Sequence, residues 1–248
     1  MRLKGKIAIV TGAARGFGEG IARRFAAEGA KLVVADLDLD GARRVAHELG
    51  AVAVGGDVSR GEDVAAIVAA ATAAYGGLDV VVNNAGTTHR NRPMLEVDEA
   101  TFDLVFAVNV KSIYWMAQAA LPVLRAQGRG GSIINIGSTA GISPRPGLVW
   151  YNATKGAVNT ITKAMALELA QENIRVNSVC PVIGATGLTA AFMGGEDTPE
   201  VRARFIASVP IGRMSTPADI GNACVFLAED ASGLITGVLL PVDGGRTA

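Results

Sequence analysis

Seven short runs of β-branched and apolar residues, spaced by longer alanine-rich stretches of helical period, constrain this chain of 248 residues more than any other feature. The runs are Lys6–Thr11, Lys31–Ala35, Ala51–Val54, Val80–Val82, Ser132–Ile136, Arg175–Val179 and Val238–Pro241. Most are unbroken rather than alternating, the pattern of strands covered on both faces. The intervening helical patterns are Gly18–Glu28, Leu39–Leu49, Glu62–Tyr75, Glu99–Gln127, Tyr151–Gln171 and Pro217–Ala228. Thr216 is placed to cap the last of these, with Pro217 at the first helical position and Asp219 in the first turn. Repeated β-α-β units with short connections predict an α/β fold, a doubly wound parallel sheet with helices on both faces. No linker, low-complexity tract or charge block marks a boundary, so one domain is expected over 1–248. One segment breaks the rhythm: Pro181 to Pro210 carries no clean strand and passes through Gly184, Gly187, Gly194 and Gly195. Connections this long inside a compact domain are usually functional, and a substrate lid is expected at about 184–209.

Half the residues are hydrophobic, and 23 Lys and Arg balance 23 Asp and Glu, which excludes a disordered chain. The same balance argues against nucleic acid as a partner, because phosphate neutralisation needs a basic excess or face. Cys180 and Cys224 have no metal-like spacing, no His/Asp/Glu cluster suggests a metal site, and a disulfide framework is excluded. No run of 18 apolar residues predicts a membrane helix, and Thr11-Gly12 cuts the first apolar run before a signal sequence could form. The expectation is a soluble, cytoplasmic protein acting on small molecules. Its 31 glycines are well above the usual share of about 7% and need an address.

The first address is the turn after the first strand, Thr11-Gly12-Ala13-Ala14-Arg15-Gly16-Phe17-Gly18, which leads into a helix. A strand-to-helix turn aims a helix N-terminus at whatever lies there, and glycine lets the backbone approach a pyrophosphate. No Gly-Lys-Ser/Thr follows, so it is not the phosphate loop of nucleoside triphosphatases. A tight βα turn with incidental glycines is the plain alternative. The second strand ends in Asp36, where a carboxylate can bond a ribose hydroxyl and repel a 2′-phosphate, favouring NAD over NADP. Asp36 could instead simply cap the turn before Leu39, and Arg15 could recognise a 2′-phosphate.

Tyr151-Asn152-Ala153-Thr154-Lys155 opens a helix, and the spacing puts phenol and ammonium on one face. A nearby cation is expected to lower the phenol's pKa and make it a general acid/base. The strand Ser132–Ile136 ends in Gly137-Ser138-Thr139-Ala140-Gly141, and Val80–Val82 ends in Asn83-Asn84-Ala85-Gly86. Both turns fall on the same sheet edge as the glycine turn, where ligands of open α/β sheets bind. Asn109 sits inside a helical stretch, an unfavourable place unless its amide has a purpose.

These motifs, with Asp57-Val58 and the terminal Asp243-Gly244-Gly245, occur in the order found in the short-chain dehydrogenase/reductase family, which the chain resembles over essentially its whole length. The resemblance implies a Rossmann-like domain with a seven-stranded parallel sheet, usually assembled as a homotetramer. It implies that Tyr151 exchanges a proton with the substrate oxygen and that Lys155 lowers its pKa and bonds the nicotinamide ribose. It implies that Ser138 holds the carbonyl or hydroxyl and that Asn109 binds a relay water behind Lys155. Gly12, Arg15, Gly16, Phe17 and Gly18 would cradle the cofactor, Asp36 would bind the adenosine ribose, and Asp57 and Val58 would flank adenine. Asn84, Ala85 and Gly86 would line the cofactor cleft.

The family commonly has Pro-Gly after the sixth strand, whereas here Val182 follows Pro181, adding bulk beside the expected nicotinamide amide; Thr186 falls where the family contacts the carboxamide. The stretch Thr87–Pro93, with Trp115 beyond it, resembles a subgroup of aryl-alcohol and aldehyde dehydrogenases of the formylbenzenesulfonate dehydrogenase type. His89, Arg90 and Arg145 are candidates to meet an anionic substrate group at the pocket mouth, against the plainer reading of a solvated loop. Trp150, Phe192 and Met193 are candidates for an apolar wall, and Cys180 reads as a small buried residue. The function expected is hydride transfer between NAD and an alcohol or carbonyl compound, aryl or cyclic. The alternatives are a 3-oxoacyl-carrier reductase using NADPH, and a non-catalytic dinucleotide-binding sensor or scaffold.

Overall fold

The structure is a computed structural model that describes residues 1–184, 187, 189–195 and 198–248. Seven parallel strands form one sheet: β1 (Ile7–Thr11), β2 (Lys31–Asp36), β3 (Val52–Gly55), β4 (Val80–Asn83), β5 (Gly131–Ile136), β6 (Ile174–Pro181) and β7 (Leu239–Val242). Their order is β3-β2-β1-β4-β5-β6-β7, so the chain reverses direction between β1 and β4. Such a switch point opens a crevice at the carboxyl ends of the strands. Register is fixed by pairs such as Val10 with Val34 and with Val82, and Ile134 with Asn177.

Alternate residues of each apolar run serve opposite faces. Ala8, Val10, Val34, Val82 and Ile134 pack on one side with Ile21 and Phe25 of α1 (Gly16–Ala27), Val45 of α2 (Leu39–Leu49) and Cys224 of α9 (Pro217–Ala228). Ile9, Val33, Val81, Ile133 and Val176 pack on the other. There they meet Ile67 of α3 (Gly61–Tyr75), Met116 of α5 (Ser112–Gln127) and Leu169 of α6 (Val149–Leu169). Because every interior strand is covered twice, unbroken apolar runs are what the fold requires. Thr216 caps α9 in a reciprocal box with Asp219, as its sequence announced.

Two local features depart from the sequence reading. The single helix expected over Glu99–Gln127 is α4 (Glu99–Phe106), a π turn over Ala107–Lys111, and α5. The whole run would pass for a membrane span by length and composition. Here its α5 half packs on α3 and the sheet through Met116, Ala120 and Leu124. The stretch after β6 has more order than a loop: α7 (Thr189–Phe192) and α8 (Pro199–Ala207) lie within it. Thr198 caps α8 by accepting from the Val201 N–H at 3.3 Å. The loop after β4 holds this segment in place, as the Asn91 N–H donates to the Ala191 carbonyl at 3.0 Å.

Candidate active site

The carboxyl ends of β1, β2, β4, β5 and β6 surround a cleft of about 490 Å³. Gly12, Arg15, Gly16, Phe17, Gly18, Asp36, Asp57, Val58, Asn84, Ala85 and Gly86 line it, together with Ser138, Tyr151, Lys155, Pro181 and Val182. Residues 12 to 182 in the chain thus meet in one place. Asn109 stands behind that wall, and Thr186 lies outside the described residues.

The glycine turn and the Asn-Asn-Ala-Gly turn are one bonded unit. Asn84 Nδ2 donates to the carbonyls of Thr11 and Gly12 at 2.8 and 3.0 Å. Thr11 Oγ1 accepts from the N–H groups of Asn84 and Ala85, both at 3.1 Å. Gly12 has a φ of +63°, and a Cβ there would stand 2.8 Å from Ala85 Cα, so only glycine fits. A Cβ on Gly18 would lie 2.0 Å from the Gly12 carbonyl oxygen, which lets α1 start hard against the turn. Arg15 precedes α1 without giving it a side-chain cap, so the first-turn N–H groups keep their capacity for an anion.

Asp36 braces the turn and also faces the cleft. Its Oδ2 accepts from the Ala14 N–H and its Oδ1 from the Asp38 N–H, each at 2.9 Å, so it braces the turn. It also lines the cleft, and each oxygen has a further lone pair to offer. Asp57 is held by its neighbours: its Oδ1 accepts from the Ser59 N–H, and its own N–H donates to Asp63 Oδ2, both at 2.9 Å.

Tyr151 and Lys155 are both buried, at 6% exposure each. The expected lowering of the phenol's pKa is not what this arrangement gives. Lys155 Nζ donates to the Ile136 carbonyl at 2.8 Å and stands 5.8 Å from the centre of the Tyr151 ring. Burial therefore dominates and pushes the phenol up to about 12, against a hydrogen bond from Ser138 that pulls it down. Burial also pushes the Lys155 ammonium down to about 8. Tyr151 is therefore a neutral phenol at pH 7. Ser138 Oγ accepts from the Ala140 N–H at 3.1 Å, which fixes its rotamer at the strand end. Cys180 beneath it is a buried thiol whose pKa burial raises, in keeping with a packing role.

The π turn explains Asn109. Its amide is 3% exposed, donates from Nδ2 to Thr87 O at 2.9 Å and to Thr154 Oγ1 at 3.0 Å, and accepts the Thr87 N–H at 2.8 Å. Thr154 in turn donates to the Tyr151 carbonyl at 2.7 Å. The extra residue of the π turn thus turns a polar side chain inward to clamp the β4 loop to the helix that carries Tyr151.

Several wall residues were not singled out by sequence. Leu37, Leu104, Val108, Leu148 and Ile183 line the cleft from four separate segments, and no local pattern joins them. Phe192 is where it was expected, edge-on to Tyr151 with ring centroids 5.0 Å apart. Arg145 also lines the cleft, whereas His89, Arg90, Trp150 and Met193 do not. His89 is buried with Nδ1 2.9 Å from the Arg90 carbonyl. The Arg90 guanidinium packs on Gly195. Trp150 turns away, donating to the Met94 carbonyl at 3.3 Å and meeting Phe102.

Residues 12–247 match the family model described as enoyl-(acyl carrier protein) reductase. The chain is 51% identical to 4-formylbenzenesulfonate dehydrogenase of Comamonas testosteroni, over 99% of each chain. It is 39% identical to 2-(S)-hydroxypropyl-CoM dehydrogenase 3 of Xanthobacter autotrophicus, over 100% of this chain and 98% of that one. Among solved structures, 3-ketoacyl-(acyl-carrier-protein) reductase from Brucella melitensis, complexed with NADH, superposes with a TM-score of 0.93. That protein is 45% identical, and the match covers 99% of this chain and 100% of that one.

Proposed function

The chain belongs to the short-chain dehydrogenase/reductase family, and from that premise we propose that it is an NAD-dependent oxidoreductase of alcohols and carbonyl compounds with Tyr151 as its acid/base. One observation carries the reading: Ser138, Tyr151 and Lys155 line the same cleft as the glycine turn and Asp36. The cleft fits a nicotinamide dinucleotide, with a glycine at Gly12 that no side chain could replace and an uncapped helix start at one end. When bound, such a cofactor supplies a hydride donor and acceptor. Gly12, Arg15, Gly16, Phe17 and Gly18 would hold its phosphates, Asp57 and Val58 its adenine, and Asn84, Ala85, Gly86, Pro181, Val182 and Thr186 its nicotinamide half.

The protein's own work is proton transfer and positioning. Tyr151 gives its phenolic proton to the substrate oxygen during reduction and takes it back during oxidation. Ser138 fixes that oxygen by a hydrogen bond, so the reacting carbon is held in one orientation. Lys155, protonated at neutral pH, stabilises the phenolate that Tyr151 becomes. Asn109 spends both amide hydrogens on Thr87 and Thr154, which leaves an acceptor position on Oδ1 for a relay water.

Asp36 favours NAD, since its carboxylate repels a 2′-phosphate at the adenosine ribose. The wall of Leu104, Val108, Leu148, Val182 and Phe192 suits an aryl or cyclic substrate, in line with the name of the Comamonas relative. A 3-oxoacyl-carrier reductase is the second reading, favoured by the name of the Brucella neighbour. The test follows nicotinamide absorbance with both cofactors against aryl, cyclic and acyl-thioester substrates. Tyr151→Phe is expected to keep cofactor binding in a fluorescence titration while kcat falls on the order of 10³-fold. Substantial turnover by that variant removes Tyr151 from the mechanism.

A further inference from the structure

Among the described residues, Arg145 is the one cation of the cleft wall that neither the proton path nor the dinucleotide side of the cleft uses. It lies on the loop before α6, and Asn152, next to Tyr151, ties it there by donating from Nδ2 to its carbonyl at 2.8 Å. The position of Arg145 relative to the catalytic phenol is thereby set by the helix that carries the phenol. Its guanidinium stacks on Phe205 of α8, 4.2 Å from the ring centre. Stacking occupies the face of the planar group and leaves the N–H donors at its edge free for a planar or tetrahedral oxyanion.

No carboxylate among the described residues pairs with it. Its charged neighbour is instead another cation, Arg246, which donates to the Ser208 carbonyl at 3.2 Å just beyond α8. Asp243, close by in sequence, spends its carboxylate on Thr247 and on the backbone N–H groups of Gly245 and Thr247. Burial and the charge of Arg246 push the Arg145 guanidinium down to about 10, the mark of a cation held without a counter-ion. A guanidinium on the cleft wall, with a second one near it and no acid among the described residues paired with it, is poised for an anion that arrives from outside.

We propose that Arg145, assisted by Arg246, forms an anion subsite at the substrate end of the cleft, so that the substrate is an alcohol or carbonyl compound bearing a carboxylate or sulfonate. The substrate-class part of this rests on the oxidoreductase reading above; the subsite itself does not. Phe192 and Leu148 would cover the apolar part of such a molecule, between the charged end and the oxygen at Ser138 and Tyr151.

The experiment compares kcat/KM for 4-formylbenzoate and its sulfonate analogue with that for the neutral 4-formylbenzamide and 4-methylbenzaldehyde. The native enzyme is expected to favour the anions at least tenfold. Arg145→Gln is expected to lower kcat/KM for the anions by about 10- to 100-fold, and by at least tenfold more than for the neutral aldehydes. Arg246→Gln is expected to act in the same direction by a few-fold, and Arg145→Lys to restore part of the preference. Equal loss for anionic and neutral aldehydes, or no preference in the native enzyme, overturns the subsite. The arm that needs no turnover is calorimetric binding of 4-methylbenzoate, 4-methylbenzenesulfonate and 4-methylbenzamide to the enzyme loaded with NADH. Anion-selective binding abolished by Arg145→Gln, without turnover of any aldehyde, upholds the subsite and sinks the substrate class. Equal binding of acid and amide overturns the subsite even if turnover is brisk.

Discussion

Replacing Lys155 by methionine should stabilise the folded protein while destroying its activity. Buried Lys155 is pushed from its ordinary 10.5 down to about 8, because its charge has left water for the protein interior. At a pH below 8 both folded and unfolded chains carry the proton, and the folded state bears the full cost, roughly 3 kcal/mol at about 1.4 kcal/mol per pKa unit. Methionine keeps the stem and removes the charge. It also removes the hydrogen bond to the Ile136 carbonyl, 2.8 Å long in the native protein, which offsets about 1–2 kcal/mol of the gain. The net expectation at pH 7 is about 1–2 kcal/mol of added stability, or about 2–8 °C in Tm for a chain of this size. The sign has a second signature. Between pH 8 and 10.5 the unfolded native chain binds a proton that the folded one does not, so the native enzyme gains stability across that window. The advantage of Lys155→Met should therefore shrink as pH rises from 8 to 10.5. Thermal unfolding of cofactor-free protein across this range reads both effects. A variant less stable than the native protein at pH 7, or a difference that does not move with pH, refutes the claim that burial of this charge is what costs stability.

The other predictions concern the cofactor end and the proton. Asp36→Ala should shift kcat/KM toward NADP at least tenfold relative to NAD, and also cost about 1–2 kcal/mol of stability, since the Ala14 and Asp38 N–H groups lose their acceptors. An unchanged cofactor ratio would place the discrimination elsewhere. Gly18→Ala should weaken cofactor binding at least tenfold in a fluorescence titration and lower Tm, because its Cβ would meet the Gly12 carbonyl at 2.0 Å and Asn84 Nδ2 at 2.5 Å. Native affinity in that variant would show that the turn shifts without consequence. Carbonyl reduction should slow above about pH 8, where Lys155 loses its proton while Tyr151 still holds its own. A rate that stays level to pH 10 would separate Lys155 from the chemistry.

What could be read in the sequence was whatever local pattern encodes. Strands buried on both faces appear as unbroken apolar runs, and a capped helix such as α9 states its own start in Thr216-Pro217-Ala218-Asp219. The π turn could not be read, because one extra residue in a long helix leaves the apolar period nearly intact while rotating Asn109 inward. Nor could the direction of the Tyr151 shift. A spacing of four on a helix brings two side chains to one face, but it does not say that Lys155 reaches past the ring to the Ile136 carbonyl. The distinction matters for mechanism. A phenol held up by burial is a proton donor waiting for a charge, so its conversion to a base depends on what is brought beside it. Asp36 carries the same lesson in reverse. Sequence offered ribose recognition and turn capping as alternatives, whereas the fold lets one carboxylate do the second while remaining on the wall for the first. A site residue that also holds its own turn cannot be altered for specificity alone, and any change of cofactor preference at this position must be accompanied by a change in stability.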